Sequence, residues 1–137
     1  MPTERTTVNP QGVPAPIGAY SAVVQANCGR VAYLAGQVAL NADGQLVGAG
    51  DVAAQTRQVF QNLGAALEGI GASFSDVLEF TTYLVGRDAV QPFIQARSEI
   101  FPSMYPNGDY PANTLLVVGG LVREELLVEV KAVAALP

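Results

Sequence analysis

The sequence predicts an α+β fold, one sheet with two helices on one face. Three observations carry it: short apolar strand-like segments, two stretches with helical apolar spacing and end signals, and helices placed between strands rather than after them. At 137 residues the chain reads as a single domain over residues 1–137, long enough to bury about 70% of its unfolded surface without disulfides or metals. Charged residues make up 14% of it and apolar ones half, against about 25% charged in an average soluble domain. So little charge does not coat a monomer, and an apolar surface is expected to be buried between subunits.

Taken in order, Thr6 to Ala19 carries Pro10, Pro14 and Pro16 with Gly12 and Gly18, which blocks helix and favours an extended segment wrapping over the body, with a short first strand near Thr6 to Val8. Tyr20 to Ala26 and Arg30 to Leu40 suit two strands, and Asn27 to Gly29 reads as the turn of a hairpin between them. Asn41-Ala42-Asp43-Gly44 closes the second with Asx and glycine turn chemistry. Asp51 is placed to cap a helix whose apolar stripe is Val52, Val59, Phe60, Leu63, Leu67 and Ile70, with Gly71 as its stop and Arg57, Gln61 and Glu68 on the solvent side. Val77 to Val85 reads as a strand with Phe80 and Thr82 facing opposite to Thr81 and Tyr83. A second helix is expected from Pro92 to Phe101, its inward face Phe93, Ala96 and Ile100. After a turn-rich loop come the last strands, Leu115 to Val118 and Leu126 to Ala134. The predicted order is β-β-β-α-β-α-β-β.

Two of these strands, at Val31 to Ala35 and Leu115 to Val118, are apolar on both sides, as strands covered on both faces are. The helices cover one face and no element remains for the other, so a second copy of the chain is expected to cover it. No run approaches the roughly 18 apolar residues of a membrane span, and the amino terminus lacks a cationic-then-apolar signal pattern, so a cytoplasmic location is expected. The net charge of −5 and scattered basic residues disfavour nucleic acid as a partner.

Histidine is absent, which removes Ser-His-Asp and Cys-His mechanisms and most zinc sites. The single cysteine, Cys28, forms no internal disulfide and reads as an incidental thiol in a turn. Gly48 and Gly50 precede a helix, but no Lys-Ser/Thr follows and no phosphate loop is assigned. What stands out is a set of polar residues on apolar strands, Asn113, Glu129 and Lys131, each of which needs a structural partner or a ligand.

Five segments in register resemble the RidA/YjgF family over nearly the whole chain: Ala15-Pro16-Ile17-Gly18-Ala19-Tyr20, Ala35-Gly36-Gln37, Asp51 to Gln58, Pro111-Ala112-Asn113 and Val128-Glu129-Val130. The resemblance implies a chorismate-mutase-like fold, a homotrimer with sheets packed inside, and hydrolysis of reactive enamines and imines to 2-oxo acids and ammonia without metal or cofactor, in a cleft between subunits. Carried over by position, it implies Glu129 as the catalytic group handling water, with Tyr20 and Gly36 lining the pocket. The chain departs from the family's pattern at Asn113, where an arginine grips the substrate carboxylate, at Leu115, where cysteine is frequent, at Gln95, where asparagine is usual, at Ala35, where serine is common, and at Ala19, where proline stands.

A guanidinium binds a carboxylate as a charged fork, worth about 1.5–3 kcal/mol against about 0.5–1.5 for a neutral hydrogen bond. Asn113 should therefore weaken carboxylate binding by about tenfold to a hundredfold. Lys131, two residues from Glu129 and so on the same side of the strand, either supplies the missing cation or pairs with a neighbouring carboxylate. Glu129 is either catalytic or satisfied by strand-end amides or an arginine of the next subunit. Tyr20 reads as a pocket wall. Two functions stand side by side, a deaminase of altered substrate preference and a ligand- or partner-binding relative that does not turn over; a ribonuclease or translation inhibitor fits an acidic, histidine-free chain poorly.

Overall fold

A computed structural model describes residues 3–137. The elements are β1 (Glu4–Val8), β2 (Val23–Asn27), β3 (Arg30–Gln37), α1 (Val52–Gly69), β4 (Val77–Val85), α2 (Val90–Met104), β5 (Ala112–Val118) and β6 (Val128–Leu136). The order matches the sequence reading element for element. Two short 3-10 turns, Phe74–Asp76 and Arg87–Ala89, lead into β4 and α2.

Four strands form one sheet in the order β3-β6-β4-β5, parallel between β4 and β5 and antiparallel elsewhere. β1 and β2 form an antiparallel ribbon of their own, which corrects two expectations: the sheet is not continuous, and β2 does not form a hairpin with β3. At the turn the chain leaves β2 for a different neighbour. The Gly29 N–H donates to Leu136 O at 3.0 Å and Arg30 opposes Leu136, so the carboxy-terminal strand captures β3. Gly29 is required there because a β-carbon would meet the Pro137 carbonyl carbon at 2.8 Å. Arg5 ties the ribbon to the body, its Nε donating to Val77 O at 2.8 Å and its Nη2 to Asp109 O at 2.9 Å.

Asp51 caps α1 as expected, its carboxylate accepting from the Ala54 N–H at 3.0 Å, which satisfies one orphan amide of the first turn. Val59, Phe60, Leu63 and Leu67 are buried on the sheet, whereas Ile70 lies beyond the helix and is exposed. The α2 helix begins earlier and ends later than expected and buries Phe93, Ala96, Arg97 and Phe101. The aromatic centre joins the layers: Phe60 stands edge-on to both Phe80 of β4 and Phe101 of α2, with ring centroids 5.6 Å apart in each pair, a favoured geometry.

Along β6, Val128, Val130, Ala132 and Ala134 are buried beneath the helices, while Glu129, Lys131 and Val133 alternate onto the other face. Among the described residues no layer covers that second face. Val31, Tyr33 and Leu116 are exposed there, Tyr33 at 81%. Among the described residues no helix is long and apolar enough to cross a membrane.

Candidate functional site

The polar residues singled out by sequence fall into two groups, one on each face of the sheet. Glu129 and Lys131 lie on the bare face, opposite Tyr83 and Thr81 of β4. Beside Glu129 runs the end of β3, where the pairing register shifts between Leu34 and Gln37. Gly36 sits in that irregularity, and a β-carbon there would lie 3.0 Å from Glu129 Cγ and 2.9 Å from Cδ, closer still to Oε2. The carboxylate therefore lies over the strand backbone because residue 36 has no side chain. Glu129 is half-buried and, among the described residues, neither pairs with a cation nor accepts a recorded side-chain hydrogen bond; the one ion pair joins Arg123 Nε to Glu125 Oε1 at 3.3 Å. Lys131 is exposed and likewise unpaired among the described residues.

Asn113 occupies the other face. It is paired in parallel register with Phe80, and its Oδ1 accepts from the Thr82 hydroxyl at 3.0 Å, a residue buried under the helices. That bond fixes the amide and, among the described residues, leaves Nδ2 without an acceptor. Leu115, two residues on, packs at the margin of the core. Within one chain the sheet separates Lys131 from Asn113, so a lysine of the same chain does not supply the cation that Asn113 lacks.

Tyr20 lies on the Asn113 side. The next residue, Ser21, donates its N–H to Pro111 O at 3.1 Å, which docks this loop two residues ahead of Asn113. The Tyr20 phenol oxygen accepts from the Ile17 N–H at 3.3 Å, holding the ring against its own turn. Gln95 does not join this group: its side chain is exposed on α2, and its carbonyl accepts from Ser98 Oγ at 2.6 Å.

One further residue was not singled out by sequence. Arg97 of α2 is only 6% exposed, with its guanidinium carbon 5.4 Å from the Phe93 ring centroid and 5.6 Å from that of Phe101. Burial pulls its pKa below the ordinary arginine value, with Tyr110 acting in the opposite direction. Each cation–π contact offsets about 0.5–2 kcal/mol of that desolvation. Its Nη2 would lie 3.4 Å from a β-carbon on Gly18, a point 3.9 Å from the Tyr20 ring; guanidinium and phenol ring thus flank one glycine. A signal was present in the sequence: Phe93 and Phe101 stand four residues either side of Arg97, on the same helical face. Among the described residues no group of three or more acidic, histidine or cysteine side chains is gathered to hold a metal ion.

The layered fold, with a carboxylate seated on a glycine on its bare face, is that of a Rid-type protein. The chain belongs to the RidA/YjgF family, whose description reads endoribonuclease L-PSP and which matches residues 11–136. It is similar to the 3-aminoacrylate deaminase RutC of Acinetobacter baylyi, 34% identical over 98% of both chains. Among solved structures it is similar to the Rid-family protein YyfB of Yersinia pestis, with a TM-score of 0.85 and 36% identity over 96% of this chain and 98% of that one. The YjgF gene product of E. coli has a TM-score of 0.69 at 26% identity, covering 95% of this chain and 98% of its own.

Proposed function

We propose that this chain is an imine and enamine deaminase working as a homo-oligomer, with a substrate preference altered at Asn113. The observation that carries the reading is Glu129, a half-buried carboxylate without an ion-pair partner, seated on the backbone of Gly36. A RutC relative named for deamination of 3-aminoacrylate, aligned over 98% of both chains, supports the reaction class.

The chemistry asks little of the protein. An enamine takes a proton on carbon and loses one from nitrogen to become an imine; Glu129 then removes a proton from water as the oxygen bonds to the imine carbon and the C=N electron pair moves onto nitrogen. The nitrogen receives that proton to give a carbinolamine; Glu129 then carries the hydroxyl proton to the same nitrogen, the C–N bond breaks with its electron pair leaving on nitrogen, and ammonia departs as the C=O bond forms. Over the whole sequence the carboxylate is restored, and no change of oxidation state is involved.

Two copies are needed to build the cleft, because Glu129 and Gly36 lie on one face of the sheet and Asn113 and Leu115 on the other. The bare face around Tyr33 supplies apolar surface for that contact, and a trimer is the assembly we propose. Asn113 Nδ2 offers a neutral bond where the family pattern has a charged fork.

Ammonia release from freshly generated 2-aminoacrylate and 3-aminoacrylate tests the reaction. Wild type should exceed the uncatalysed rate and Glu129→Gln should fall at least a hundredfold; equal rates for the two, or no rate above background, overturn the reading. Sedimentation giving a stable monomer at micromolar concentration overturns the shared cleft. Asn113 also favours a second reading, a relative that binds a small ligand in this cleft without turnover; saturable binding with no ammonia released would establish it.

A further inference from the structure

Arg97 is a fixed charge without an evident purpose inside the chain. The sequence holds twelve acidic residues against seven basic ones, yet among the described residues none of the acids pairs with Arg97. Nor does its side chain make a hydrogen bond there. A guanidinium this deeply placed calls for an anion, because desolvation penalises an isolated charge. An apolar side chain would pack between Phe93 and Phe101 without that penalty.

The nitrogens are not sealed in. Among the described residues, the fully buried side-chain polar atom without a partner is Thr3 Oγ1, so the unpartnered nitrogens of Arg97 keep contact with solvent. They meet it beside Gly18 and Tyr20. That loop is docked to Pro111, and Asn113 follows two residues later, its Nδ2 without an acceptor among the described residues. Phe80, the β4 partner of Asn113, has its ring centroid 6.1 Å from that of Phe101, one of the two rings under the guanidinium. Cation and phenol thus flank Gly18, and the docked loop and the Phe80–Phe101 ring pair link them to the strand that carries Asn113.

We propose that Arg97 is the anion-binding residue of this site, taking the carboxylate of a small 2-oxo or 2-imino acid, with Asn113 Nδ2 donating a second bond. The charge that the family pattern places on the strand is here delivered from α2. Two aromatic rings pack against the guanidinium, and its unpartnered N–H groups can make a bidentate contact. Only the identity of the ligand rests on the deaminase reading.

The test is calorimetric titration of the intact oligomer with pyruvate and with pyruvamide, which has the same shape without the charge. Wild type should bind pyruvate at least tenfold tighter than pyruvamide. Arg97→Met should abolish that preference while leaving pyruvamide binding unchanged, and Arg97→Lys, a cation without the fork, should give an intermediate preference. A preference retained in the methionine variant, or absent from wild type, overturns the proposal. So does an equal loss for both ligands accompanied by dissociation of the oligomer, which would make Arg97 an inter-subunit ion-pair residue. Should the methionine variant fail to fold, the lysine variant decides: an undiminished pyruvate preference overturns the proposal. Wild type that shows the preference but releases no ammonia sinks the deaminase reading alone, and ammonia release without the preference sinks only the role of Arg97.

Discussion

The Glu129 carboxylate rests against the backbone of Gly36, with Cδ 2.9 Å from where a β-carbon would stand. Gly36→Ala should therefore push aside the end of a flexible side chain rather than the strand. Ammonia release is expected to fall at least tenfold, with the denaturation midpoint nearly unchanged. Equal turnover in the alanine variant would show that the position of this carboxylate does not matter.

Gln55, fully buried at 0% exposure, joins three separate backbone groups. Its Nε2 donates to Gly48 O at 3.1 Å and Glu125 O at 2.9 Å, and its Oε1 accepts from the Leu127 N–H at 2.8 Å. Gln55→Leu keeps the volume but strands Glu125 O and the Leu127 N–H, Gly48 O keeping its bond from the Asp51 N–H, at about 3 kcal/mol given the cost of unsatisfied buried groups. Urea denaturation at fixed protein concentration measures it; a loss below about 1 kcal/mol would mean that water replaces the amide.

Burial raises the pKa of Tyr105 above the ordinary tyrosine value, Arg5 opposing, and its hydroxyl donates to Phe74 O at 2.8 Å. The folded chain thus holds the neutral phenol while the unfolded chain ionises near pH 10. Above that pH the unfolded state binds fewer protons, so stability falls as pH rises. Tyr105→Phe should cost about 1 kcal/mol at pH 8 and flatten the decline above pH 10. Parallel curves for the two proteins would show that another group carries the alkaline sensitivity.

Much of this architecture was legible in the residues because local and global signals agreed. Asp51, the stripe through Leu67 and the alternation around Phe80 placed α1 and β4, and the apolar character of Val31 to Ala35 announced a face without cover. The hairpin failed for a non-local reason: Asn27 to Gly29 is turn chemistry, but β3's partner is β6, about a hundred residues away in sequence, and no short-range rule weighs that competition. Arg97 was missed because a charge on a helix reads as solvated unless the flanking phenylalanines are counted with it. The sorting of Glu129 and Asn113 to opposite faces depends on the parallel β4–β5 register, which spacing within either strand does not reveal.

The place of β6 between β3 and β4 bears on how the protein is made. It follows both β3 and β4 in the chain, so a ribosome releases this inner strand after both of its neighbours. Until then β3 and β4 have no central neighbour to hold them together, and long-range pairing of this kind is slow to form. Nascent chains should therefore remain open to proteases until β6 clears the exit tunnel and then close in a single step, rather than building up strand by strand.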